Sequence, residues 1–336
     1  VSRIGFVSRL GGIAGPAAFQ RRLSAGLSRR GIEISYSLAD KPYEAVIVIG
    51  ASRRLGTLTR ARRRGIRIVQ RLNGMNWLHR QIRTGLRHFL RAEVNNLLLR
   101  VVRDRLADHV VYQSEFAQGW WERVHGPTIA PSSVVYNGVP LERYTPDGAE
   151  TRPTEHIRLL MVEGNFAGGY ELGLESGLEL ARAIADRSGR SIELTVAGQA
   201  PVDIENTHPG VRVDRRGEIE PGQIPALDRS AHALFSGDLN PACPNAVIEA
   251  MACGLPVLAY ETGALAELVQ GEAGRLARYG GDPWKATPPA VGGLAEASLE
   301  VLEDQSRFRA GARARAEARF GEDQMVDGYL AALAAS

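Results

Sequence analysis

Between Phe235 and Leu268 the chain reads FSGDLNPACPNAVIEAMACGLPVLAYETGALAEL, an order of apolar runs and breaks that few architectures accommodate. It spells a strand ending near Phe235, a loop, a helix opened by Pro244, a stop at Gly254, a strand through Val257, and a further loop and helix. Proline suits a first helical turn because its missing N–H has no partner to lose there, while Gly254 supplies a left-handed cap and Pro256 blocks continuation. Val247, Ile248, Met251 and Leu255 follow helical spacing and are expected to face a core, leaving Glu249 and Asn245 on another face beside the loop mouth. The start of such a helix presents unpaired N–H groups and the positive end of a dipole, which suits phosphate, and a nearby carboxylate suits sugar hydroxyls.

A chain of 336 residues exceeds what one core usually serves, so two domains are expected. Its 44% hydrophobic and 24% charged content excludes disordered and fibrous classes. No apolar run approaches the ~18 residues of a membrane span, and Val1 to Gly15 lacks the pattern of a signal peptide, so a cytoplasmic location is the expectation. The two cysteines, Cys243 and Cys253, sit at opposite ends of the expected helix, too far apart for a disulfide and without zinc-ligand spacing. They read as small packing residues.

The net charge of +3 hides an asymmetry: residues 1–150 carry a balance of +13 and residues 151–336 one of −10. Such a field favours an anionic partner. The long helical stretch from Trp77 to Leu106, with a break expected near Asn95 and Asn96, carries an apolar stripe of Ile82, Leu86, Phe89, Leu90, Val94, Leu97 and Val101 that is expected to be buried. Arg80, Arg83, Arg87 and Arg91 recur every three or four residues on a different face, and Arg53 to Arg67 add a second cluster. That face reads either as a solvated surface or as an anion or membrane patch giving peripheral contact at the inner face of the membrane. Nucleic acid is not expected, because no aromatic-rich strands or recognition-helix module accompany the charge.

The first half opens with the strand IGFVS, the loop LGGIAGP and a helix from about Pro16 to Arg30. Further β-branched runs follow at Ile32–Leu38, Ala45–Ile49, Ile66–Gln70, Val110–Gln113 and Val134–Tyr136, separated mostly by helical patterns. This alternation predicts a parallel sheet with helices on both faces, and it places Gly11, Gly12 and the stretch from Arg71 to Asn76 at the carboxyl ends of strands. Gly11, Gly12 and Gly15 do not match the G-x-G-x-x-G dinucleotide spacing, so a nicotinamide site is not expected. YNGVPLERYTPDGAETRPTE reads as a linker, after which strands at Ile157–Val162 and Ile192–Val196 restart the alternation. The expected division is therefore residues 1–150, residues 151–320, and a closing helix over 321–336 that has no sheet of its own and is expected to cross back to the first domain.

NPACPNAVIEAMACGLPVLAYETGALAEL closely resembles the donor-site segment of GT-B glycosyltransferases, in particular the retaining enzymes of glycosyltransferase family 4. YNGVPLERYTPDG is similar to their interdomain segment, LGGIAGP to their first glycine-rich loop, and VYQSEF to the strand and helix before the linker. The resemblance implies an α/β, GT-B architecture of two Rossmann-like parallel-sheet domains facing a cleft. It also implies metal-independent, hexosyltransferase-like transfer from a nucleoside-diphosphate sugar, with no cofactor, to a glycan or lipid-linked acceptor in cell-surface polysaccharide synthesis. Glu249 matches the glutamate that binds the donor ribose. Pro244, Asn245, Ala246 and Val247 are then donor-binding too, with Gly164 and Asn165 offering backbone and amide donors. Gly11, Gly12, Arg71 and Asn76 fall to the acceptor and phosphate loops.

Three departures stand out. The first of two motif glutamates, eight positions before Glu249, falls at Pro241. Asp238 is the expected substitute, unless it is only a turn residue; the region of Arg71, Asn73 and Asn76, where many relatives place a histidine near the transferred sugar, also departs, and Asn73 is the expected catalytic residue there. The basic pair that normally follows the first donor-domain strand is also missing from VEGNFAGGYELG. A degenerate binding protein and a sugar-nucleotide epimerase of similar architecture are the alternatives.

Overall fold

The computed structural model describes residues 2–12, 15–39, 42–83, 85–166, 171–200 and 208–334. Ile13 and Ala14 of the first glycine loop, and residues 167–170 of the EGNFAGGY loop, lie outside the described residues. The chain forms two compact units, Val1–Gly138 with Gly321–Ser336, and Val139–Phe320. Residues 139–150, expected in the first domain, fall in the second unit, and the C-terminal helix is counted with the first.

In the first unit, strands β1 (Arg3–Phe6), β2 (Glu33–Ser35), β3 (Ala45–Ile49), β4 (Arg67–Leu72), β5 (His109–Tyr112) and β6 (Ser132–Val134) pair in the order β2-β1-β3-β4-β5-β6. Every pairing is parallel, so each connection must cross over. Helices α1 (Gly15–Arg29), α2 (Leu55–Arg63), α3 (Leu86–Val101) and α4 (Glu115–His125) lie in the crossovers. Ser114 starts α4 where the sequence changes from β-branched to helical, its Oγ accepting from the Ala117 N–H at 3.1 Å. One face of this sheet is packed by Phe19, Leu23 and Leu27 of α1 together with Met325, Val326, Tyr329 and Leu333 of the C-terminal helix (Glu322–Ala334). An apolar helix that follows the last strand has only an existing sheet to cover, and here it covers the first; Arg30 pairs with Asp323 at 3.2 Å along its edge.

The stretch from Trp77 to Leu106 departs from expectation. It consists of a 3₁₀ turn at Leu78–Arg80, α3, and a π-helical turn at Val102–Leu106. Gly85 at φ +80° marks the start of α3, and no break occurs at Asn95 or Asn96. Arg80 and Arg83 therefore precede α3, and only Arg87 and Arg91 of the four lie on it. The apolar stripe is not buried either: α3 packs inward through Ala92 and Leu99, while Leu86, Phe89, Leu90, Val94 and Leu97 are exposed.

The second unit repeats the architecture. Strands β7 (Ile157–Asn165), β8 (Ile192–Gln199), β9 (Val211–Gly217), β10 (Ala233–Ser236), β11 (Val257–Tyr260) and β12 (Gly274–Ala277) pair in parallel in the order β12-β11-β10-β7-β8-β9. Around them lie α5 (Glu171–Ser188), α6 (Ile224–Arg229), α7 (Asn245–Ala252), α8 (Leu265–Leu268), α9 (Val291–Glu303) and α10 (Gln305–Arg319). Arg313 of α10 donates to the carbonyls of Tyr144 and Ala252, each at 2.7 Å, and so holds the segment after Val139 and the end of α7 to one helix. Cys243 and Cys253 are buried and in no disulfide, and burial pushes the Cys253 thiol up, as expected of packing residues.

Candidate functional site

All strands of the second sheet point the same way, so the loops after β7, β8, β10 and β11 gather along one edge, where ligands of such sheets bind. The loop after β10 runs from Gly237 to Pro244 and delivers α7. Pro244 is the residue before the helix rather than its first helical residue, with φ −70° and ψ 122°. An extended proline at that position sets the chain's entry angle, and its side chain has no polar group with which to cap α7. Asn245 and Ala246 are half-buried there, whereas Val247 onward is buried.

The loop is held under strain. Asn240 adopts φ +50°, uncommon for a residue with a side chain, and it is buried with its Nδ2 lacking any partner. Ser236 Oγ, at the end of β10, is likewise buried without a partner. Pro241 turns inward and its carbonyl accepts from the Ala264 N–H at 2.8 Å. Gly263, at φ +55°, lies so close that a Cβ there would sit 2.4 Å from the Pro241 nitrogen. Pro241 thus serves the packing of one loop on another. Unsatisfied buried donors and strained backbone recur at ligand sites because a bound molecule supplies what the fold leaves out.

Glu249 does not stand on an open face. It is 8% exposed, because α6, α10 and the sheet enclose α7. Asp228 of α6 lies behind it: burial first, then the charge of Glu249, hold the Asp228 carboxyl well above the usual carboxylate range. The periodicity reading failed here because α7 is covered on several sides, so an apolar stripe does not define its only buried face.

One group the sequence reading missed is Glu163. The β7–β8 register shifts between Val162 and Asn165, a bulge that puts Glu163 and the exposed Gly164 and Asn165 at the edge. Gly198 on β8 permits this, since a Cβ there would lie 1.8 Å from the Glu163 carbonyl oxygen. β7 neighbours β10, so Glu163 comes beside Asp238. Burial, then the Asp238 charge, pushes the Glu163 carboxyl well above its ordinary range, and burial pushes Asp238 up to about 6. This edge therefore carries two neighbouring carboxyls, both raised above their ordinary range by burial. A glutamate ending a strand is ordinarily solvated, so only the neighbouring strand order reveals it.

In the first unit the expected residues also lie along a carboxyl edge. Gly11 and Gly12 follow β1 and are exposed, Gly12 at φ +85°. Arg71 is the next-to-last residue of β4 but is only 2% exposed, with its guanidinium 3.9 Å from the centre of the Phe19 ring and Nη2 donating to Asn137 Oδ1 at 3.2 Å. The carbonyl of Asn73 accepts from Trp121 Nε1 at 2.7 Å. Asn76 pairs reciprocally with Asn96 of α3, its Nδ2 donating to Asn96 Oδ1 at 3.0 Å and its carbonyl accepting at 2.8 Å. These contacts brace the loop after β4 and fix where its exposed edge stands.

Comparison with known proteins agrees with this architecture. The family described as Glycosyl transferases group 1 matches residues 158–304, the stretch that holds the whole second-unit edge just described. No curated protein matches the chain in sequence. Among solved structures, sucrose-phosphate synthase from Thermosynechococcus elongatus is similar at a TM-score of 0.74 and 17% identity, with 100% of each chain covered. WaaG, a glycosyltransferase involved in lipopolysaccharide biosynthesis, gives 0.71 at 13% identity, covering 99% of this chain and 100% of its own. HepE from Anabaena, in complex with UDP and glucose, gives 0.69 at 15% identity with 100% of each chain covered. The chain has the GT-B fold of these glycosyltransferases.

Proposed function

We propose that the protein transfers a sugar from a nucleoside-diphosphate sugar to a glycan or lipid-linked acceptor, with the donor held at the carboxyl edge of the second sheet. The observation that carries this reading is the convergence, inside the stretch matching Glycosyl transferases group 1, of the start of α7 at Asn245, the orphaned Asn240 amide and Ser236 hydroxyl, and Glu249. HepE, which shares the fold, was solved with UDP and with UDP-glucose. In this reading the first N–H groups of α7 meet the diphosphate, Glu249 accepts from the ribose hydroxyls, and Gly164 and Asn165 offer further donors.

The chemistry is electrostatic. Negative charge accumulates on the diphosphate oxygen as the glycosidic bond breaks, and preorganised donors stabilise it. A family 4 relationship implies retention of configuration, with the departing phosphate taking the acceptor proton. Burial and the Asp238 charge push the Glu163 carboxyl up, and in its protonated form it offers an O–H donor to the leaving group, while Asp238 faces the sugar. A second reading, a relative that binds nucleotide without turnover, is favoured by one observation: two acidic side chains, Glu163 and Asp238, stand at the proposed donor edge, where a departing diphosphate calls for positive charge.

Glu249→Gln keeps the shape of the side chain and removes its charge. It is expected to weaken nucleoside-diphosphate binding by ~1.5–3 kcal/mol, on the order of 10- to 150-fold, as measured by isothermal titration. Unchanged affinity in a folded variant would take Glu249 out of the site.

A further inference from the structure

Helix α3 is built inside out. Its inward contacts are small or polar: Ala92 and Leu99 are buried, and Asn96 holds Asn76. The opposite face carries Leu86, Leu90, Val94 and Leu97, which are 74, 54, 44 and 58% exposed. Their spacing places them in a single row over about 16 Å of helix. Soluble proteins rarely leave a row of this kind uncovered unless something docks on it. Arg87 and Arg91 flank the row, and Arg83 precedes it; among the described residues none of these three forms an ion pair.

The charge around the row selects its occupant. The unit that bears α3 holds 23 Arg and Lys against 11 Asp and Glu, a balance of +12. Glu93, the carboxylate on α3, is already engaged by Arg80 at 2.7 and 2.8 Å and by His79 at 2.8 Å. Stacking the row on the same row of a second copy would bring cations together, with the one carboxylate of α3 already engaged. A surface that is apolar below and anionic above matches both features, and an interfacial helix has this pattern of leucines bordered by arginines.

We propose that α3 docks the protein on an anionic lipid bilayer, with Leu86, Leu90, Val94 and Leu97 at the acyl boundary and Arg83, Arg87 and Arg91 at the lipid phosphates. Taken with the sugar-transfer reading, on which only this extension rests, docking narrows the acceptor to one carried on a lipid.

The test is flotation of the full chain with phosphatidylglycerol–phosphatidylcholine vesicles and with pure phosphatidylcholine vesicles, at low and high salt. Wild type is expected to bind the anionic vesicles, more weakly at high salt. Arg83→Gln/Arg87→Gln/Arg91→Gln is expected to lose about a hundredfold at low salt, at roughly fivefold for each charge near an anionic surface. Leu86→Gln/Leu90→Gln/Leu97→Gln is expected to lose a comparable or larger factor at both salt concentrations. Because these side chains are exposed, both variants are expected to melt like wild type, a control that sets folding apart from docking. Three results would overturn the proposal: no vesicle binding by folded wild type, equal binding to neutral vesicles at both salts, or a lipid-free dimer that the leucine variant dissociates. None of these depends on nucleotide binding, so the docking proposal and the transfer reading fail separately.

Discussion

The Glu163→Gln/Asp238→Asn variant is expected to be more stable than wild type at about pH 8 and to transfer sugar at least ~100-fold more slowly. Both carboxyls are pushed up, chiefly by burial, with Asp238 rising from 3.8 to about 6. An acid whose folded value is raised binds more protons folded than unfolded between those values. Stability on its account is therefore full below about pH 4 and falls as pH rises through about 6. Shielding by solvent at a half-buried site reduces the destabilisation to about 1–2 kcal/mol, which the amides remove. Melting curves from about pH 4 to pH 8 are expected to coincide at the acid end and separate at the alkaline end. The same substitution removes the titrating pair beside the proposed donor sugar, so turnover falls while stability rises. Unchanged turnover would reduce the pair to loop structure, and a less stable variant at the alkaline end would contradict the strained-pair account.

Gly263→Ala is expected to destabilise the second unit by ~2–4 kcal/mol and to weaken nucleotide binding with it. The residue sits at φ +55°, and an added methyl would lie 2.4 Å from the Pro241 nitrogen and 2.5 Å from the Asn240 carbonyl carbon. Neither neighbour is a flexible side-chain end, so the loop that delivers α7 must shift. Gly271→Ala is the control, because Gly271 has a similar φ of +59° and a methyl there meets nothing within 4 Å. Its cost is expected to be about 1 kcal/mol, that of the backbone conformation alone. Urea unfolding of both variants separates the two contributions; equal losses would show that Gly263 does not fix the loop by close packing.

The repeated parallel architecture was legible because it rests on alternation. The β-branched run at Ala45–Ile49, the apolar run at Val257–Tyr260, Gly254 at φ +67°, and a C-terminal helix with no strand left to cover are all local signals. β12 escaped because GRLA has too few β-formers to stand out. α3 misled for a deeper reason. Periodicity shows that leucines share a face but not whether that face meets the protein, and Ala92 and Leu99 carry the inward contact instead. Sites were read less well than elements. Arg71 resembles a phosphate ligand until its burial against Phe19 is seen. Glu163 matters only because strand order sets β7 beside β10, a relation between residues far apart in the chain.

The central claim, that the second unit binds a nucleoside-diphosphate sugar, is tested most directly by thermal shift of the intact protein. The panel comprises uridine, guanosine, adenosine, cytidine and thymidine diphosphates and their hexose conjugates. The account predicts that one base stabilises the protein both as diphosphate and as conjugate, by about 2.7 kcal/mol when present at ~100 times its dissociation constant. A folded, cooperatively melting protein whose transition no member of the panel moves would contradict it.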